Sequence, residues 1–266
     1  MNIWTKKSID LANQKNYLDL LFKIYPMSVN LRRELSKETI NEISRYFCMK
    51  NSKKLLNILL SQEIFPIKDS YVAYLKKDKT AIDRNPYTVA RITGMLYEMG
   101  LDEIFEKTTA PKETNRQIGP LFKNWLNQGF LGCKITIDEG TFLNSNENII
   151  FNASDENMKN FANKYLGYDR NKGLDLLAKF NNTYVLGEAK FLTDFGGHQN
   201  AQFEDAISTM KSNFRNTNYK IKTIAILDGV LYIKSKNKMY KNITEKFNSD
   251  DVIISAVLLR DFLYSL

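Results

Sequence analysis

Cysteine is scarce in this chain. Only Cys48 and Cys133 occur in 266 residues, far apart and outside any metal-ligand spacing, which excludes a disulfide scaffold and a zinc ribbon and reads as two buried thiols. Histidine is scarcer still. With His198 as the sole imidazole, a histidine-cluster metal centre, an HxxxH zinc hydrolase and any chemistry that needs several imidazoles are excluded. Nowhere do 18 apolar residues run together, so no membrane-spanning helix is expected. The first 27 residues break their apolar positions with Lys, Asn and Asp, which gives no export core and leads to the expectation of a cytoplasmic protein. No Gly-rich loop ending in Gly-Lys-Ser/Thr, no GxGxxG after a strand and no GxSxG elbow appears. ATP-driven translocation, dinucleotide chemistry and a serine hydrolase are therefore disfavoured, and no nucleotide cofactor is implied.

What the chain does have is an ordinary globular balance, 43% hydrophobic and 26% charged, so a packed core in one or two domains is expected. Lys and Arg number 38 against 30 Asp and Glu, a net charge of +8, which favours a polyanionic partner such as nucleic acid or an anionic membrane surface. The same excess is what an AT-rich coding sequence produces, so charge alone does not decide the partner.

Residues 1–110 read as an all-α N-terminal region. Leu11, Leu18, Leu21 and Phe22 form a stripe on a helix ended by Pro26, and Ile40, Ile43, Tyr46 and Phe47 form another after a Ser36 cap. Leu55, Leu56, Leu59 and Leu60 make a third stripe, Asp69–Leu75 a short helix, and Val89, Ile92, Met95, Leu96 and Met99 a long one between Pro86 and Gly100. Residues 111–266 change character. After a helix over 115–127 come β-branched segments at 133–137 and 148–151, a helix capped at Asp155 and closed by Gly167, and two strands, 174–180 and 184–191, joined by Asn181-Asn182. A helix over 199–213, a buried strand over 221–227, an Asp228-Gly229 turn into a strand at 230–234, and a strand-to-helix stretch from Val252 complete a mixed sheet flanked by helices. The fold class is α/β.

The hairpin concentrates the chemistry. Asp175 lies on its first strand and Glu188-Ala189-Lys190 near the end of its second, and alternation puts Glu188 and Lys190 on one face while the Ala189 carbonyl stays available as a ligand. Asp175, Glu188 and that carbonyl make a hard-oxygen cage of the kind Mg²⁺ prefers. A lysine beside it orients water and offsets transition-state charge in phosphodiester hydrolysis. The acidic-x-Lys triplet occurs once in the chain, between apolar Val185, Leu186 and Phe191. The alternative is a surface ion pair of Glu188 and Lys190 on the solvated face of an edge strand.

Asp175…Glu188-Ala189-Lys190 resembles the signature of the PD-(D/E)XK nuclease superfamily, and the segments 191–203 and 111–122 are similar to those that type II restriction endonucleases place around it. The resemblance covers roughly 111–227, and the family's proline is replaced by Leu174. It implies a restriction-endonuclease-like core in 111–266, Asp175 and Glu188 as metal ligands, Lys190 as the catalytic lysine and Mg²⁺ as cofactor. Downstream, Gly196-Gly197 permits close backbone approach, and His198, Gln199, Asn200 and Gln202 offer imidazole and amide groups suited to bases and phosphates. A plain glycine turn into a helix accounts for the same residues. Lys112, Arg116, Gln117 and Lys123 offer a phosphate-contacting face, or simply a solvated helix, and Glu113 or Gln117 is the expected further donor to the site.

The combined expectation is a sequence-specific, Mg²⁺-dependent type II restriction endonuclease. It would act on double-stranded DNA as a homodimer, beside a cognate methyltransferase of the same site, with residues 1–110 serving DNA binding or dimerisation. The alternatives are a structure-specific repair or recombination nuclease of the same superfamily, and a non-catalytic basic nucleic-acid-binding protein.

Overall fold

In a computed structural model, residues 1–26, 32–111, 117–215 and 217–266 are described. The chain divides into two compact units, one built from residues 1–27 and 113–266 and the other from 28–112.

The N-terminal segment forms two helices, α1 (Ile3–Ala12) and α2 (Tyr17–Ile24), rather than the single one expected from its periodicity. Asn16 adopts a left-handed conformation with φ 71° and breaks the helix. The break rotates the apolar face, so Tyr17, Leu21 and Ile24 are buried while Leu18 and Phe22 are exposed.

Among its described residues the unit 28–112 has helices and no strand: α3 (Lys37–Cys48), α4 (Ser52–Leu60), α5 (Ser70–Lys77), α6 (Ala81–Arg84), α7 (Pro86–Met99) and α8 (Leu101–Thr108). The Ser36 hydroxyl accepts the Thr39 N–H as the expected cap, and Asp69, read as a helix residue, caps α5 instead, its carboxylate accepting the Tyr71 N–H. Ile43, Leu55, Leu56, Leu59, Ile92, Leu96 and Ile104 form a core of its own. Cys48 is exposed and Cys133 half-buried, both free, which corrects the expectation of two buried thiols.

The other unit continues with α9 (Ile118–Asn127), β1 (Lys134–Thr136), α10 (Glu139–Asn144), β2 (Ile149–Phe151), α11 (Asp155–Phe161), β3 (Leu176–Phe180) and β4 (Thr183–Leu192). It ends with α12 (Gly197–Met210), β5 (Lys220–Gly229), α13 (Lys238–Glu245), β6 (Val252–Ile254) and α14 (Leu259–Tyr264). The six strands pair in sequence order. β2, β3 and β4 are antiparallel neighbours, whereas β1–β2, β4–β5 and β5–β6 are parallel, a mixed α/β sheet. Leu176, Ala178, Phe180, Val185 and Ala189 pack into the cluster that holds α2 and α9. Leu177, Tyr184 and Leu186 pack into another with Phe142, Met158 and Phe161, so period-two alternation splits the hairpin between two cores.

The expected hairpin turn at Asp228-Gly229 is absent. β5 runs parallel to β6, and Gly229 (φ 98°) passes so close to β4 that a Cβ there would lie 2.1 Å from the Leu192 carbonyl oxygen. Asp228 is fully buried. Its carboxylate accepts from the Ser255 hydroxyl (2.5 Å), the Ala256 N–H (3.2 Å) and the hydroxyls of Tyr17 (3.2 Å) and Tyr25 (3.1 Å). Burial raises its pKa to about 6 against the pull of those four donors. This carboxylate ties the N-terminal helices to the sheet, which is why residues 1–27 belong with 113–266 rather than with the helical region expected over 1–110.

Tyr25→Phe removes one of these hydrogen bonds and is expected to cost about 1 kcal/mol in urea denaturation, whereas Asp228→Ala strands four buried donors and should cost several times as much. Similar small losses for both variants would contradict a structural role for Asp228.

Candidate active site

The site grows out of a two-residue turn. Asn181 and Asn182 both take positive φ, 46° and 61°, the conformation of a tight hairpin turn whose twist matches its strands. The register that follows pairs Phe180 with Thr183 and Leu176 with Gly187. One further step puts Asp175 opposite Glu188, where the Asp175 N–H donates to the Gly187 carbonyl at 3.1 Å. The Ala189 N–H donates back to Asp175 Oδ2 at 2.9 Å, so the carboxylate orientation is set by the strand it faces.

Lys190 stands on the face of Glu188. Its Nζ lies 2.5 Å from Glu188 Oε1 and 3.9 Å from Asp175 Oδ2. The sequence reading missed two members of the cluster. Lys172, on the segment entering β3, places Nζ 3.0 Å from the same Glu188 oxygen and also pairs with Asp205 of α12. The only signal for Lys172 was its place three residues before Asp175, and nothing local marked Asp205.

Burial, joined by the Glu188 charge, raises the Asp175 pKa to about 6, against the opposing pull of Lys190 and the Ala189 N–H. Burial acts to lower the Lys190 ammonium, but Glu188 and Asp175 outweigh it and the net shift is upward. Lys190 is therefore a firm cation beside an aspartate, Asp175, whose charged form burial and Glu188 disfavour.

A cavity of about 360 Å³ opens on this cluster, lined by Asp175, Ala189 and Lys190, by Gln202 and Asp205 of α12, and by Ile118, Gly119 and Pro120 in the first turn of α9. Among the described residues no three His, Cys, Asp or Glu side chains converge as a ready-made metal centre. Asp175, Glu188 and the Ala189 carbonyl nevertheless form a hard-oxygen donor set. Crowded carboxylates already drawing two ammonium groups onto one oxygen are a donor set whose chemistry suits a divalent cation.

The expected DNA-facing residues fare unevenly. Gly197 opens α12, and the exposed His198 Nε2 lies 2.9 Å from the Gln202 amide nitrogen, so these two form one patch beside the cavity. Gln199 differs from expectation: it is buried, and its side-chain carbonyl accepts the Thr193 N–H at 3.1 Å. Asn200 donates to the carbonyls of Phe195 and Gly196, which also holds the loop together. Gln117 stands just before α9, half-buried, while Lys112, Glu113 and Arg116 lie outside the described residues. Lys123 is engaged with the Ala153 carbonyl and Asp155.

Because the folded-state pKa of Asp175 lies above the unfolded value, its contribution to stability falls as pH rises from about 4 to about 6. Asp175→Asn, which keeps an acceptor for Ala189, should melt above the wild type in EDTA at pH 7, by an amount on the order of 1–3 kcal/mol, and lose that advantage at pH 4. An advantage independent of pH would mean that Asp175 is not crowded by Glu188.

No curated protein and no solved structure matches the chain. One family model does, described as Tsp45I type II restriction enzyme, over residues 2–266. With a match that runs almost end to end and an ionised cleft built at the end of a hairpin, the chain belongs to the Tsp45I type II restriction enzyme family and is a sequence-specific deoxyribonuclease of double-stranded DNA.

Proposed function

We propose that this endonuclease is Mg²⁺-dependent and of the PD-(D/E)XK kind, that it works as a homodimer, and that hydrolysis takes place at the cleft formed by Asp175, Glu188 and Lys190. The observation that carries this reading is the cross-strand register that sets Asp175 against Glu188 with Ala189 and Lys190 beside them. Asp175, Glu188 and the Ala189 carbonyl would hold the ion, which supplies positive charge to the scissile phosphate. Asp175 is kept in orientation by the Ala189 N–H. Lys190, held cationic by its neighbours, donates a hydrogen bond that orients the attacking water and opposes the charge that gathers on the phosphoryl oxygens. The first turn of α9 faces the same cavity, and its positive dipole end favours an approaching phosphate.

His198 and Gln202 form the exposed amide and imidazole patch nearest the cavity, and with Gly197 they are the residues of α12 best placed for DNA. Gln199 and Asn200 support them by fixing the loop. Lys112, Arg116 and Gln117 remain proposed backbone contacts. The helical unit 28–112 carries 15 Lys and Arg against 11 Asp and Glu, a balance that supports a DNA-binding or dimerisation role. Cutting both strands of a symmetric site most simply takes two such clefts related by a two-fold axis. A methyltransferase of the same specificity would protect the host sites.

Lys190→Ala should bind cognate DNA nearly as well as the wild type in Ca²⁺ while its cleavage of phage DNA in Mg²⁺ falls by orders of magnitude, and EDTA should stop the wild type. Near-normal cutting by the variant, or cutting in EDTA, would overturn the proposed mechanism. For readout, Gln202→Ala is expected to weaken cognate binding by about 1–3 kcal/mol with a smaller loss on random DNA, measured by competition titration. Equal losses on both DNAs would reassign Gln202 to phosphate positioning.

A further inference from the structure

Glu188 is 4% exposed, and a single one of its oxygens, Oε1, takes both ammonium groups of the site, Lys190 at 2.5 Å and Lys172 at 3.0 Å. One lysine already answers one carboxylate. The second differs from the first in having somewhere else to go, because Lys172 Nζ is also paired with Asp205, whose side chain is 41% exposed on α12. Gly173 keeps that lysine in place: a Cβ there would lie 2.7 Å from Asp155 Cβ, so the backbone carrying Lys172 is packed directly against α11.

We propose that Lys172 is a positioning residue that serves as the resident counter-ion of Glu188, and that an arriving divalent cation displaces it onto Asp205. The proposal rests on the reading of Asp175 and Glu188 as metal ligands. A dication sharing the Glu188 carboxylate with an ammonium 3.0 Å away meets like-charge repulsion in a partly desolvated cleft. Moving Lys172 relieves that repulsion, and Asp205 keeps its charge paired after the move. In the metal-free protein the same lysine holds Glu188 neutralised, so the cleft stays folded without an ion. Asp205 then acts on metal affinity only through Lys172, and this separates it from a direct ligand.

The test is calorimetric titration of Ca²⁺, which binds oxygen cages without requiring turnover, into the full-length wild type, Lys172→Gln, Asp205→Asn, the double variant and Asp175→Asn. Lys172→Gln should bind Ca²⁺ about tenfold more tightly, Asp205→Asn several-fold more weakly, and the double variant as tightly as Lys172→Gln alone. If Lys172→Gln binds no better than the wild type, or if Asp205→Asn weakens binding equally in both backgrounds, the exchange is wrong and Asp205 is a ligand or a bystander charge. Should Lys172→Gln fail to fold, Lys172→Arg decides the matter. A guanidinium grips carboxylates with a planar fork, so this variant should bind Ca²⁺ more weakly than the wild type, and unchanged or tighter binding would overturn the proposal. A wild type with no Ca²⁺ binding that Asp175→Asn removes would instead sink the metal reading on which this one stands.

Discussion

The site depends on the pairing register of one hairpin. Side chains on a strand alternate with a period of two, so a slip of one residue would turn Glu188 and Lys190 to the opposite face and leave Asp175 opposite Gly187 or Ala189, neither of which carries a charge. The register is held by a turn of two residues, Asn181 and Asn182, both at positive φ, which lengthening by a single residue would replace with a different loop class. It is reinforced where it matters by the Ala189 N–H, which donates to the Asp175 side chain rather than to a main-chain carbonyl. A carboxylate held in this way cannot drift from its partner without breaking a bond on the strand that bears Glu188.

That fixed proximity has an electrostatic consequence that the neighbouring elements answer. Burial in the cleft, joined by the charge of the neighbouring Glu188, raises the Asp175 pKa to about 6. Lys190 comes from the same strand, Lys172 from the segment entering β3, and Asp205 from the helix that crosses between the parallel strands β4 and β5. Three separate pieces of chain therefore converge on one charge problem. The first turn of α9 closes the cavity from another side, so that turn and the Lys190 side chain line the same space.

Local chemistry was legible in the sequence where it depended on neighbours along the chain. Asn181-Asn182 announced the turn, Ser36 announced its cap, and the lone acidic-x-Lys triplet pointed to Glu188 and Lys190. What the sequence hid was long-range. Helices α1 and α2 carry the same period as those of the 28–112 unit, yet α2 is tied to the sheet by Tyr17 and Tyr25, which reach Asp228, 211 and 203 residues away, and α1 by Thr5 and Ser8, which accept the N–H groups of Ile253 and Ser255. No periodicity encodes such a partner. The amide-rich run after Gly197 misled in a related way, since Gln199 and Asn200 have the right groups for bases but use them on Thr193, Phe195 and Gly196. Composition names the groups available, and only packing says which are already taken.

Asp228, fully buried, and Asp175, half-buried, are two carboxylates of raised pKa with opposite solutions. Register places Asp228 beside Phe191 on the neighbouring strand, one residue beyond Lys190, so the two acids lie close to the same stretch of β4. Asp228 is surrounded by four neutral donors that use its oxygens. Asp175 is answered by one N–H and by charges that can be exchanged. A carboxylate with its acceptor sites filled by neutral donors has little left for a cation and serves as a structural knot, whereas one answered mainly by charge keeps its capacity to bind. On that criterion, the proposed site chemistry falls to the hairpin and the anchoring of α2 to the adjacent strand, although both rest on an aspartate whose pKa is raised to about the same value.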